Sequence, residues 1–427
     1  MKYFKNTSWL LGEKILRLFV GVFLGVWIAR YLGPEQFGLL SYAQSFVGIF
    51  AVISTMGLDS IVVRELVKNK NTQEGILGTV FCLKIIGALT SIILLMIAVY
   101  FTVNDYHTKI LICIISSSVL FQAFNVVDFY FQSQVLSRYV VYANTVSLFI
   151  SSLLKIVLIL GSASLLSFVW VILFDSFILA CGFLYFFIQK SKIDIINLKF
   201  QSEIAISLLK DSWPLLLSGI VISIYMKIDQ VIIKQLLGAE EVGQYAAASR
   251  LSEAWYFIPM VIVSSLYPSI ISAKQTNNET YCSRLQKLYD LMVGLSIAIA
   301  IPITFFGDII IDLIYGSQYS ESGAVLMLHI WTGVFVFIGV IFSAYLTIEN
   351  QTKKAFYRTL IGAILNVTLN YVLIPIYGIK GAAIATLAAQ LTSNYLYDIF
   401  DKELHGQFKM KTKAFFPVHL FKSPRFK

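Results

Sequence analysis

The sequence predicts an all-α polytopic membrane protein: about twelve transmembrane helices in two six-helix bundles, related by a parallel pseudo-two-fold along the membrane normal. Three observations predict it. Of the 427 residues, 58% are hydrophobic and 13% charged, with a mean hydropathy of +0.77, whereas soluble domains carry roughly 25% charged residues. Twelve apolar runs each approach the about 20 residues needed to cross a hydrocarbon core of about 30 Å. Finally, a turn recurs. Leu32-Gly33-Pro34-Glu35-Gln36-Phe37-Gly38 is matched 205 residues later by Leu237-Gly238-Ala239-Glu240-Glu241-Val242-Gly243, and Ala43 falls on Ala248. In each copy the glycines permit positive φ, so the chain can reverse between two apolar segments within a few residues.

The runs lie at about 9–31, 37–58, 76–101, 110–131, 140–160, 165–188, 208–233, 242–271, 288–312, 323–347, 355–375 and 379–400. Hydrocarbon offers no water to satisfy backbone groups, so each run is expected to be a helix. Runs 5 and 6 are separated only by Gly161-Ser162-Ala163-Ser164. With both termini cytoplasmic, the inside segments carry 23 lysines and arginines, from Lys2 and Lys5 through Arg64, Arg138, Lys190, Lys274 and Lys353 to the tail that ends at Lys427. The outside turns carry only Arg30, Lys109, Lys234 and Lys380. That asymmetry follows the positive-inside rule and supports an even number of spans. It also accounts for the net charge of +9 without nucleic acid.

The longest inside loop divides the chain into a bundle at 1–190, a cytoplasmic linker at 191–207, a bundle at 208–400 and a basic cytoplasmic tail at 401–427. Six helices per half bring both halves in from the same side, so the repeat is parallel, which is a transporter architecture. Phe415-Phe416 among lysines makes the tail a solvated or membrane-surface segment.

Cys82, Cys113, Cys181 and Cys282 have no metal-site or disulfide spacing, and no G-x-x-x-x-G-K-[ST] is present, so neither a metal, a cofactor nor a P-loop nucleotide is expected. No catalytic constellation stands out.

Ionisable residues inside spans cost a few kcal/mol on insertion scales and tend to face a cavity or a partner. Run 1 carries Lys14 and Arg17 on a stripe with Gly21 and Gly25; snorkelling to the interface is the alternative reading. Run 4 carries Gln122, Asn125, Asp128 and Gln132, run 5 carries Asn144, Ser147, Ser151 and Lys155, and run 11 carries Gly362, Asn366 and Asn370. Such stripes read equally as a substrate path or as interhelical glue. Arg250 and Glu253 lie one turn apart in run 8, Lys84 and Asp175 lie within runs 3 and 6, and His329 in run 10 is read as a hydrogen-bonded packing residue. The candidate substrate-binding residues are Lys14, Arg17 and Arg250 for an anionic headgroup, with Asp128, Lys155 and Asn125 lining the cavity or coupling transport.

The stretch NTSWLLGEKILRLFVGVFLGVWIARYLGPEQFGLLSYAQS resembles the opening of the bacterial polysaccharide-repeat flippases, the Wzx type of O-antigen transporters, within the superfamily of multidrug and oligosaccharidyl-lipid exporters. Asn6, Trp9, Arg17, Ala29 to Gly38 and Tyr42-Ala43 carry it. KIDQVIIKQLLGAEEVGQYAAASRLSE, Ile258-Pro259, Tyr267-Pro268 and IYGIKGAAIAT continue it. The resemblance implies translocation of an undecaprenyl-pyrophosphate-linked repeat unit from the cytoplasmic to the periplasmic leaflet of a bacterial inner membrane by alternating access, for O-antigen or related synthesis. It implies a lipid-linked oligosaccharide and membrane lipids as partners, and proton or sodium coupling and polysaccharide polymerase machinery as further ones. The competing readings are an ion-coupled multidrug antiporter, whose cavity should favour carboxylates, a lipid II flippase, and a membrane polysaccharide polymerase, for which the outside segments are too short.

Overall fold

Gly33 shapes the first element. Runs 1 and 2 form one helix, α1 (Lys2–Thr55), broken by the non-helical φ of 74° and ψ of 169° at Gly33 and followed at once by Pro34. In this computed structural model residues 2–102, 105–191, 193–194 and 198–416 are described. Lys192, Lys422, Arg425 and Lys427 therefore lie outside the described residues, as does part of the 191–207 linker.

After α1 the chain forms α2 (Asp59–Lys68), α3 (Gln73–Thr102), α4 (Tyr106–Ser117), α5 (Val126–Ser133), α6 (Arg138–Leu160), α7 (Leu165–Lys190) and α8 (Ser202–Leu236). It continues through α9 (Ala239–Glu253), α10 (Phe257–Thr276), α11 (Asn278–Tyr315), α12 (Ser322–His329), α13 (Thr332–Ile348), α14 (Thr352–Tyr377), α15 (Ile379–Leu391), α16 (Tyr397–Phe400) and α17 (His405–Phe415). There are no strands among the described residues. Ten helical stretches there are long and apolar enough to cross a membrane, and the first, Ser8–Lys68, contains the Gly33 break. Large apolar side chains such as Phe23, Phe305 and Leu313 point outward, as lipid-facing residues should.

Four expected helices are interrupted, run 8 by a 3₁₀ turn at Ala254–Tyr256 and run 10 between α12 and α13. Residues Ser118–Asn125 form a 3₁₀ stretch between α4 and α5, so run 4 is not one α-helix and its polar stripe changes period midway. The last run is divided by a π turn at Thr392–Leu396 between α15 and α16.

Contacts divide the chain into two compact units, Met1–Val231 and Ile232–Lys427, with the division inside α8. The N-terminal part of α8 belongs with the first unit for a visible reason. Ser223 Oγ donates to the Gly48 carbonyl at 3.0 Å, and Ser45 Oγ donates to Gln230 Oε1 at 2.8 Å. Gly57, at φ +64°, is pressed so closely to α8 that an added Cβ would lie 2.6 Å from the Leu216 nitrogen and the Ser212 carbonyl oxygen.

The second copy of the repeated turn adopts the same unusual backbone as the first. Gly238 has φ 109° and ψ −176°, a region open essentially to glycine alone. Nothing lies within 4 Å of a Cβ added there, so Gly238→Ala isolates the conformational cost. A loss of about 1–3 kcal/mol is expected in thermal unfolding; no loss would mean that the turn relaxes freely.

The tail departs from expectation. Residues 405–415 form α17, docked in the second unit with Lys411 wholly buried and Lys409 and Lys413 exposed. Lys411 Nζ lies 2.7 Å from Asp398 Oδ2, donates to the Asn394 carbonyl at 2.8 Å, and sits 3.4 Å above the Phe342 ring. Arg358 reaches the same place from α14, donating to Asn394 Oδ1 and, at 2.6 Å, to Ser343 Oγ. Tyr289 donates to Gln407 Oε1 at 2.9 Å. The physical reason is partner supply: the π turn presents Asn394 inward and α16 presents Asp398, which lets a lysine enter an apolar core. Burial pushes the Lys411 ammonium down to about 7, against the opposing pull of Asp398.

Candidate functional site

In the first unit α1 is pinned along α6 at two points. Asn6 bonds Ser137 through both ends of its amide: the Ser137 backbone donates to Oδ1 at 2.8 Å, and Nδ2 donates to Oγ at 3.0 Å. Near the other end, Tyr31 donates to the Ala163 carbonyl at 2.8 Å. Asn6 thus meets the start of α6 and Tyr31 the turn after its end, so the two helices run in the same direction.

At 1.5 Å per residue Arg17 lies about 16 Å along this arm from Asn6, about half the thickness of a hydrocarbon core. Arg17 Nε donates to Glu13 Oε1 at 2.8 Å, with the arginine side chain 44% exposed and the glutamate 6%. Lys14 beside it is exposed. Ser8, Trp9, Gly12, Glu13 and Leu16, with Val141 and Thr145 of α6, line a groove of about 370 Å³.

Several further charges of this unit form a connected set. Lys155 lies within electrostatic reach of Asp175 and Arg17, and Ser147 Oγ donates to Asp175 Oδ1 at 2.5 Å. Asp128 senses Asp59, Glu13 and Lys14. Lys84 pairs with Asp59 at 3.1 Å and lies 4.8 Å above the Phe129 ring. Lys14, Arg17, Lys84 and Lys155 thus meet Glu13, Asp59, Asp128 and Asp175, a balanced mixture rather than a carboxylate cavity. Four sequence-predicted residues, Lys14, Arg17, Asp128 and Lys155, join this set. Asn125 is half-buried one turn before Asp128, where the 3₁₀ stretch ends.

Arg250 is not part of that set as described, because it belongs to the second unit, within reach of Tyr315, Glu253 and Tyr319. His329 Nδ1 lies 3.0 Å from Ser252 Oγ, with Tyr245 edge-on to its ring, which is a hydrogen-bonded packing role. The α14 stripe also reads as glue. Asn366 and Asn370 are wholly buried, Asn366 Nδ2 donates to Thr386 Oγ1 at 3.4 Å, and Gly362 packs against Ser393. In run 4, Gln122 Oε1 accepts from Ser54 Oγ at 3.0 Å.

Sequence reasoning missed Glu13, although a carboxylate four residues before an arginine within an apolar helix is a legible i,i+4 pair. It also missed Asp59, which belongs to the short helix α2 and lies outside every apolar run.

A profile of the family described as "Polysaccharide biosynthesis protein" matches residues 3–274. The chain belongs to that family. A MatE profile also matches residues 214–372. The family member is 22% identical over 371 residues to a putative O-antigen transporter of Shigella dysenteriae, covering 85% of this chain and 90% of that one. It is 26% identical over 177 residues to a probable low-salt glycan biosynthesis flippase, Agl15, of Haloferax volcanii; that match spans 40% of this chain but only 37% of the flippase. Among solved structures it resembles an inward-facing multidrug resistance MATE transporter of the MOP superfamily, with a TM-score of 0.78, 16% identity and coverage of 93% and 94%. It also resembles the lipid II flippase MurJ in an inward closed conformation, with a TM-score of 0.71, 17% identity and coverage of 99% and 93%. The fold is therefore that of a MATE-like transporter.

Proposed function

We propose that this protein flips an isoprenoid-pyrophosphate-linked oligosaccharide repeat from the cytoplasmic to the outer leaflet by alternating access, as a transporter and not an enzyme. Membership of a polysaccharide biosynthesis family, with a flippase and an O-antigen transporter among its relatives, carries the proposal. The site supports it physically. A pyrophosphate and polar sugars cannot cross about 30 Å of hydrocarbon unaided, and Lys14 and Arg17 offer charge-assisted hydrogen bonds to the headgroup. Arg250, in the second unit, is retained as a headgroup residue on its charge, while Asp128, Lys155 and Asn125 serve the sugars or the coupling step. The same reading divides the chain at 191–207 into two six-helix halves with both termini cytoplasmic, sets it in a bacterial inner membrane, and takes a proton or sodium gradient as the driver with polymerase machinery downstream.

The fold is shared with multidrug antiporters, but the balanced charges of the first unit favour an anionic, sugar-bearing substrate over a lipophilic cation. Proteoliposomes loaded with a pyrophosphate-linked oligosaccharide lipid test the proposal through access of an external glycosidase. Protein-dependent exposure is expected; none with several different repeats would return the antiporter reading.

A further inference from the structure

We propose that Glu13 is a positioning residue for anion recognition by Arg17: it holds one edge of the guanidinium and turns the forked Nη edge toward the phosphates of a lipid-linked substrate. The inference rests on the flippase reading and deepens it. Glu13 engages Nε, and neither Nη nitrogen hydrogen-bonds or ion-pairs with any described residue. The Nη1–Nη2 edge presents two parallel N–H donors, the geometry that grips a phosphate bidentately.

The two partners are also unequally placed. Glu13 is buried on the groove wall, whereas Arg17 is nearly half exposed. The carboxylate is thus the fixed member of the pair, and an arriving anion reaches the guanidinium without uncovering it. Because α1 is anchored to Ser137 and Ala163, the pair sits on a fixed support, and an arginine ordered before binding loses less freedom when the ligand arrives. Exposed Lys14 adds a point charge without a fork. A plain structural ion pair would be indifferent to which phosphate binds; an oriented fork is not.

The test uses the full-length protein in lipid nanodiscs, with farnesyl pyrophosphate and farnesyl monophosphate as probes. Glu13→Ala is expected to weaken pyrophosphate binding about tenfold and monophosphate binding less, since a lost oriented contact of this kind costs about one decade. Glu13→Gln, whose amide oxygen still accepts from Nε, should stay within about twofold of wild type. In an Arg17→Lys background, Glu13→Ala should change binding no further, because lysine has no fork to orient. Pyrophosphate binding by Glu13→Ala as tight as wild type, or tighter, would overturn the proposal. So would equal losses for Glu13→Ala and Glu13→Gln accompanied by a fall in melting temperature. If the wild type binds neither probe yet still flips a repeat unit in proteoliposomes, this inference alone fails. If it neither binds nor flips, the flippase reading fails with it.

Discussion

Replacing Arg17 by alanine should slow flipping by about 100-fold or more, because it removes a pair of hydrogen bonds between charged groups, each contributing about 1.5–3 kcal/mol. Arg17→Lys keeps the charge and loses the fork, so an intermediate rate is expected. The alanine variant also leaves the buried carboxylate of Glu13 without its partner, so a fall in rate could reflect poor folding. The Glu13→Gln/Arg17→Ala double variant removes that buried charge; it should recover the melting temperature but not the rate. Glycosidase access in proteoliposomes supplies the measurement. A single variant within about threefold of wild type at equal reconstitution would remove Arg17 from the headgroup site, since a factor of three is under 1 kcal/mol.

Asp398→Ala should destabilise the second unit by about 3–5 kcal/mol, the range for removing one partner of a buried pair. Asp398 and Lys411 are both wholly buried, and the Arg358 guanidinium lies 5.0 Å from the Phe342 ring that Lys411 also caps. Without the carboxylate, two cations face one apolar core. Lys411→Met is the milder change, since Asp398 keeps Arg358 within electrostatic reach. The Asp398→Ala/Lys411→Met double variant should regain part of the loss, with Arg358 still held by Asn394 and Ser343. Thermal unfolding in detergent measures all three, and a double variant no better than Asp398→Ala would show that the Lys411 charge is not what makes the lone aspartate change costly.

The candidate site was half legible. Lys14, Arg17, Asp128 and Lys155 stand out as charges in apolar runs, and they do fall in one connected set. Glu13 was overlooked because attention went to cations on one stripe, although its i,i+4 spacing to Arg17 was visible. The partner of Lys84 was not legible, since Asp59 reaches it from the short helix α2 outside any apolar run. Nor was α17: a lysine-rich tail reads as solvated until the inward-facing carboxylate of Asp398 is known.

What the sequence determined by itself is the helical, membrane-embedded class, the position of most spans, and the turns at Gly33 and Gly238. These depend on the length of apolar runs and on local backbone freedom, both written along the chain. Only the tertiary structure decided which charges pair, that Asn366 and Asn370 are buried as glue, that runs 4, 8, 10 and 12 are interrupted, and that Arg17 is held by one edge. Those outcomes depend on which helix faces meet and how far a side chain must reach to lose its charge or find a partner, and a linear pattern does not contain that information.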